Sequence, residues 1–144
     1  MTTRARIVAA ARDWIGTPWQ HQQRTKGLAV DCAGLVIGVA RELELVPAEF
    51  DVQGYGRQPN GTLMRLCAEH MQRIDQARMQ PGDVVVVAIA ADPQHMGIVG
   101  DYRHGGLSII HAASAAAPGR VIETRLMFAR NLQFVAAFAL PGVA

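Results

Sequence analysis

The feature that most constrains the fold is a change of hydrophobic period at Pro81-Gly82-Asp83. Before it, apolar residues recur every three or four positions, as on one face of a helix. After it come short apolar runs divided by turn residues, the pattern of strands. The first run, Val84–Ile89, is continuous, which is typical of a buried central strand. Helices first and antiparallel strands second predict an α+β domain, with the helices packed on one face of a small antiparallel sheet of about five strands. The 144 residues suffice for one domain, 1–144, with a proper core.

Residues 3–15 are predicted helical, with Ile7, Val8, Ala11 and Ile15 on one face and Gly16 and Pro18 as the stop. Residues 16–31 read as a loop that mixes Trp19, Gln20, His21, Gln22, Gln23 and Arg24, the content of a functional loop. A second helix is predicted over 32–45, capped by Asp31, with Leu35, Val36, Val39, Ala40 and Leu43 inward. Residues 48–60 read as loop, with Gly54, Gly56, Pro59 and Asn60 as turn residues. A third helix is predicted over 62–73, with Leu63, Leu66, Cys67 and Met71 inward. Beyond Val84–Ile89, Asp92-Pro93 marks a turn, and strands follow at 95–101, 107–111, 121–124 and 133–140.

Half the residues are apolar and 18% are charged, the balance of a globular chain. The formal charge is +2 and its Lys and Arg residues are scattered, so no nucleic-acid stripe forms, although a weak attraction to an anionic polymer such as cell wall fits. No apolar core follows the basic start Met1-Thr2-Thr3-Arg4, so no signal peptide is predicted, and no segment is long and apolar enough to span a bilayer. The expectation is a chain that begins in the cytoplasm and needs another vehicle for export. With only Cys32 and Cys67, no disulfide framework is expected, and a bridge between them would abolish the chemistry below.

That chemistry centres on Asp31-Cys32-Ala33-Gly34-Leu35-Val36. An acidic cap, a lone Cys and an apolar helical pattern put a thiol at a helix N-terminus, where the dipole favours the thiolate. A base must come from His21, His70, His95, His104 or His111. If the hairpin turn is 103–105, Tyr102 faces Gly106 and His95 falls opposite Ala113, so His95 and His111 project to the same side of neighbouring strands. A turn of even length would separate them. Gly97 would allow another backbone a close approach. Cys32 is then the nucleophile, His95 the base that later protonates a leaving amine, His111 the group that orients His95, and the Cys32 N–H an oxyanion donor. Together these define a cysteine hydrolase working through an acyl-enzyme. Cys67 sits mid-stripe as a core residue, His104 is a solvated turn residue and His70 a structural one; His21 reads equally as loop packing or a cleft wall, and Trp14 and Trp19 as core residues, Trp19 being the better cleft candidate of the two. Zinc is a poor rival, since Cys32, His95 and His111 match no finger or ribbon spacing.

These segments resemble the NlpC-type cysteine peptidases, papain-like enzymes that cut bacterial cell-wall peptides. Gly16-Thr17-Pro18-Trp19 resembles the family's loop before the nucleophile, and Asp31 to Val36 its nucleophile motif. Pro81-Gly82-Asp83-Val84 is similar to its strand-opening motif, His95-Met96-Gly97-Ile98-Val99 to its general-base strand, and Ile110-His111-Ala112 to the segment of its third polar residue. The resemblance implies a papain-like α+β fold and hydrolysis of an amide in peptidoglycan stem peptides, commonly between D-glutamate and the diamino acid. Catalytic Cys32, His95 and His111 go with substrate-side Asp31, Trp19, His21 and Ala33, and no cofactor or metal is implied. The short chain looks most like members associated with phage tails, which makes phage tail proteins candidate partners. Two positions depart from the pattern. Trp19 stands where the family usually has Tyr, and Ala33 where it often has a Ser associated, with the neighbouring acid, with holding a free substrate amine. Alternatives on this reading are an amidase or acyltransferase on the same scaffold, and a tail-assembly protein with an unused site.

Overall fold

A computed structural model describes residues 2–52, 62–89, 92–114 and 116–143, with the side chains at 92 and 93 left aside. The expected turn residues Gly54, Gly56, Pro59 and Asn60 lie outside the described residues. The first helix, α1 (Arg4–Arg12), begins where the Thr3 hydroxyl accepts the Arg6 N–H. It is shorter than 3–15, because the chain turns at 13–16 and Gly16 takes φ +93°. That turn swaps two residues: Ile15, expected inside, is exposed, while Trp14 is buried. The Trp14 ring lies where a Cβ on Gly38 would stand, so the pair packs only because Gly38 has no side chain.

Within the segment read as a loop, β1 (Arg24–Thr25) and β2 (Ala29–Val30) form a small hairpin. The second helix, α2 (Cys32–Glu42), starts at Cys32 as expected and stops at a Leu43 cap, short of residue 45. The third, α3 (Thr62–His70), is also shorter than expected, because residues 72 and 73 belong to a strand, β3 (Gln72–Ile74). The remaining strands are β4 (Val84–Ile89), β5 (Asp92–Asp101), β6 (Leu107–Ala113), β7 (Arg120–Arg125) and β8 (Leu132–Ala139). The strand β5 already begins at Asp92, which pairs with Ile89, so the turn expected at Asp92-Pro93 is strand instead.

Among the described residues the main sheet has six strands rather than about five, in the order β3-β8-β4-β5-β6-β7, with every strand pair antiparallel. Its faces explain the unbroken run in β4. Val84 and Val86 join the main core under the helices, with Ile7, Leu35, Val39, Ile98, Ile110 and Phe138. Val85 and Val87 join Val99 and Ile109 in a second cluster covered by Met79, Leu126, Phe128 and Phe134. The helices cover one face, as expected, and the segments beside β4 and β8 cover the other. The head of β4 is tied to α1: Asp83, fully buried, pairs with Arg4 and accepts the Gln80 N–H at 2.9 Å.

Beyond β7 the hydrogen-bonded ladder continues through the loop before α2. Gly16 N–H donates to Val121 O, Val121 N–H to Thr17 O, and Trp19 N–H to Gly119 O. Val30 N–H then donates to Pro18 O, and Gln20 N–H to Val30 O, both at 2.9 Å. Val30 is two residues before Cys32, so the start of α2 is sewn to the edge of the sheet that carries the histidines.

Candidate active site

His95 lies on β5 and His111 on β6. The hairpin between them turns over 103–105, with Tyr102 N–H donating to Gly106 O, and its register runs from Asp101↔Leu107 to Ile98↔Ile110. Continued along the strands, it sets Gly97 opposite His111 and puts both rings on one side of the sheet. His95 Nε2 and His111 Nδ1 are 2.6 Å apart, and the rings meet edge to face with centroids 4.8 Å apart. A Cβ on Gly97 would stand 2.7 Å from Ile110 O and 3.0 Å from His111 Cβ, so glycine here is what lets the two strands close with His111 in place. Both rings are buried.

Burial decides the charge of His111. His111 is pushed down to about 3, first because it is removed from water and then because a charge on His95 repels a second one beside it. At neutral pH His111 is therefore uncharged. Its Nε2 is buried with no hydrogen-bond partner among the described residues, so Nδ1, facing His95, is its one bonded nitrogen.

Cys32 is the first residue of α2, half-buried, and the helix packs against β5 and β6, the two strands that carry the rings. Both cysteines are free thiols, so no bridge joins Cys32 to Cys67. Cys67 lies in the core, where burial alone pushes its thiol up to about 12, which makes it inert. Asp31 caps α2: its Oδ1 accepts the Gly34 N–H at 2.7 Å and its Oδ2 the Gln22 N–H at 2.8 Å. A Cβ on Gly34 would run into Gln23 O, which explains the glycine of this motif: the loop lies directly over the first turn of the helix.

The substrate-side candidates spread around this start. His21 is half-buried, with Nδ1 3.8 Å from Asp31 Oδ2. Trp19 packs beside Gly119 at the edge of the main core. Ala33 is buried and faces an apolar cavity shared with Val36, Leu63, Cys67 and Met96. His70 packs edge to face on Phe50 and His104 on Tyr102, both apart from the His95–His111 pair. Sequence reasoning missed a chain of charge pairs that runs from buried Asp31 out to exposed Asp51. Arg24 has Nη1 3.5 Å from Asp31 Oδ1 and Nε 2.5 Å from Asp51 Oδ1, and Arg41 Nη2 lies 3.9 Å from Asp51. Nothing local marks Arg24 and Asp51 as partners, since 27 positions separate them. Among the described residues no cluster of three His, Cys, Asp or Glu side chains could hold a metal ion, and no helix is long and apolar enough to cross a membrane.

No family model matches the chain, and no curated protein matches it in sequence. Solved structures match its fold. The NlpC/p60 domain of the peptidoglycan hydrolase SagA superimposes with a TM-score of 0.65 at 20% identity, over 96% of this chain and 99% of that one. NlpC2 from Trichomonas vaginalis gives 0.66 at 15% identity, over 95% of this chain, which spans only 46% of that one. An N-acetylmuramoyl-L-alanine amidase from Bacteroides uniformis gives 0.57 at 11% identity, over 96% and 98%. The fold is therefore of the NlpC/p60 type, as the motifs implied.

Proposed function

We propose that this chain is a cysteine hydrolase of peptidoglycan, cutting an amide of the stem peptide with Cys32 as nucleophile. The observation that carries the reading is the buried His95–His111 pair on the two strands against which the Cys32 helix packs. The similarity to a peptidoglycan hydrolase domain supports the substrate class.

The pair sets the roles. His95 Nε2 is engaged by His111, so proton exchange with Cys32 falls to His95 Nδ1. For that nitrogen to act as a base, His95 must carry its proton on Nε2 and donate it to His111 Nδ1 (a tautomer assigned from the role). His111, held neutral by burial, accepts this bond and cannot take the proton itself. The thiolate attacks the carbonyl carbon, and the Cys32 N–H at the helix start stabilises the oxyanion. His95 then gives its proton to the leaving amine, which leaves an acyl thioester. Water, deprotonated by His95, attacks the thioester; the carboxylate departs and the thiol is restored.

The bond we favour lies between D-glutamate and the diamino acid, by the resemblance of the motifs. The amidase among the similar folds supplies a second reading, a cut between muramic acid and L-alanine. Digestion of intact peptidoglycan with product identification by mass spectrometry separates them: a new amine on the diamino acid supports the first, and one on L-alanine replaces it with the second. Association with a phage-like tail belongs to the same proposal, and detection of the chain in purified particles tests it.

A further inference from the structure

The cap of the nucleophile helix creates an electrostatic conflict. Asp31 is adjacent to Cys32 in the chain, with Cα atoms ~3.8 Å apart. Its carboxylate is held out of water by the Gly34 and Gln22 N–H groups. A buried negative charge so close opposes formation of a thiolate, because like charges disfavour each other's ionised form. One buried cation faces it: Arg24, whose side chain is 7% exposed, with Nη1 3.5 Å from Asp31 Oδ1.

We propose that Arg24 is a positioning residue for catalysis, and the proposal rests on Cys32 being the nucleophile. By neutralising Asp31, it lets α2 keep a charged cap without an unbalanced negative charge beside the thiolate. Arg24 is itself fixed from two further directions, through Nε to Asp51 Oδ1 at 2.5 Å and through Nη2 to Val52 O at 3.1 Å. Its planar fork hydrogen-bonds Asp51 and Val52 while keeping Nη1 in ion-pair range of Asp31 Oδ1, an arrangement a lysine cannot make. Arg41 stands 3.9 Å from Asp51, so two cations and two anions alternate from Arg41 to Asp31. The other charged or titratable groups on elements around the helix start are His21 on the loop, His95 on β5 and His111 on β6. From α1, Arg12 is committed to Asp101 and Glu123 and Arg4 to Asp83.

The test is the rate of alkylation of Cys32 by iodoacetamide against pH, read by peptide mass mapping in the full chain so that Cys67 reports separately. Arg24→Gln is expected to move the midpoint up by about half a unit to one unit. Arg24→Lys restores most of that shift, and Asp31→Asn with Arg24→Gln returns the midpoint close to the native one. An unmoved midpoint in Arg24→Gln overturns the proposal, as does a double variant displaced as far as the single one. Should circular dichroism show Arg24→Gln unfolded, Asp31→Asn alone decides: the uncompensated Arg24 must lower the midpoint, and a native value overturns the role. If native Cys32 reacts no faster than Cys67 at pH 6, the nucleophile assignment fails and takes this proposal with it; a fast native Cys32 with no Arg24 dependence removes Arg24's role alone.

Discussion

Gly97 shows how one missing side chain can hold a site together. Its hydrogen stands where a Cβ would press on Ile110 O and His111 Cβ, two groups that cannot both retreat without opening the β5–β6 pair. Gly97→Ala is expected to cost about 1–3 kcal/mol of stability, the range of overpacked cores. It should also lower turnover by more than the loss of folded protein explains, because the His95–His111 bond lengthens. Urea unfolding and activity per folded molecule check the two parts. His111 carries a second prediction. Its folded value of about 3 lies below the 6.5 of an unstrained ring, so between these pH values the unfolded chain binds a proton that the folded ring refuses. Stability must therefore fall as pH drops through that window. His111→Asn should make the fall shallower in urea midpoints measured from pH 7 to pH 4, and equal slopes would refute the assignment. The sequence offered this pair on the condition of a three-residue turn at 103–105: strand parity is a local rule, but the turn length came from the structure. The sequence did not foretell Arg24 against Asp31 and Asp51, because side chains that meet across a fold leave no periodic trace.

Among elements, α1 is held to the sheet by an arginine at each end, and the two anchors differ in worth. Arg4 pairs with Asp83, a carboxylate with no exposure at all. Arg12 binds Glu123 at 2.9 and 3.0 Å and reaches the mostly exposed Asp101. Removing a cation from a buried anion costs about 3 kcal/mol or more, while a solvent-screened pair is worth about 1 kcal/mol or less. Arg4→Gln should thus destabilise the chain well beyond Arg12→Gln, a ranking that thermal denaturation of the two variants tests. For Glu123, burial works against ionisation, but the Arg12 and Ser108 hydrogen bonds outweigh it and hold the carboxyl below its usual value. Its stabilisation is therefore complete above the ordinary carboxylate range and is lost as pH falls through the lowered value. Element identities were legible where apolar periodicity was strong, as in α2 and β4. They failed at β3, whose Gln72 and Arg73 are exposed on an edge strand and give no alternation to read. They also failed at helix ends, which turn geometry sets.

At the scale of the whole molecule, the sheet is the shared wall of two apolar layers. Leu35 and Phe138, both fully buried, lie in the helix-side core. Leu35→Ala should cost about 3–5 kcal/mol, since a packed interior relaxes only partly around a cavity; denaturant unfolding measures it. The α+β class followed from helices preceding strands, and that layer logic needs no knowledge of strand order. The order itself, with the last strand inserted between β3 and β4, was not legible, because antiparallel neighbours can be joined by any connection long enough to return. The ladder from β7 through Pro18 to Val30 was hidden for the same reason, and it ties the Cys32 helix to the sheet. Local motifs thus named the candidate residues, while long-range pairing set the frame that holds them.

The most direct measurement is release of muropeptide fragments from purified peptidoglycan by the native chain, Cys32→Ala and His95→Ala, each verified as folded. The native chain should free new amino termini within the stem peptide, and both variants should lose at least ~1000-fold in rate. Undiminished release by Cys32→Ala would contradict a thiol nucleophile at the head of α2.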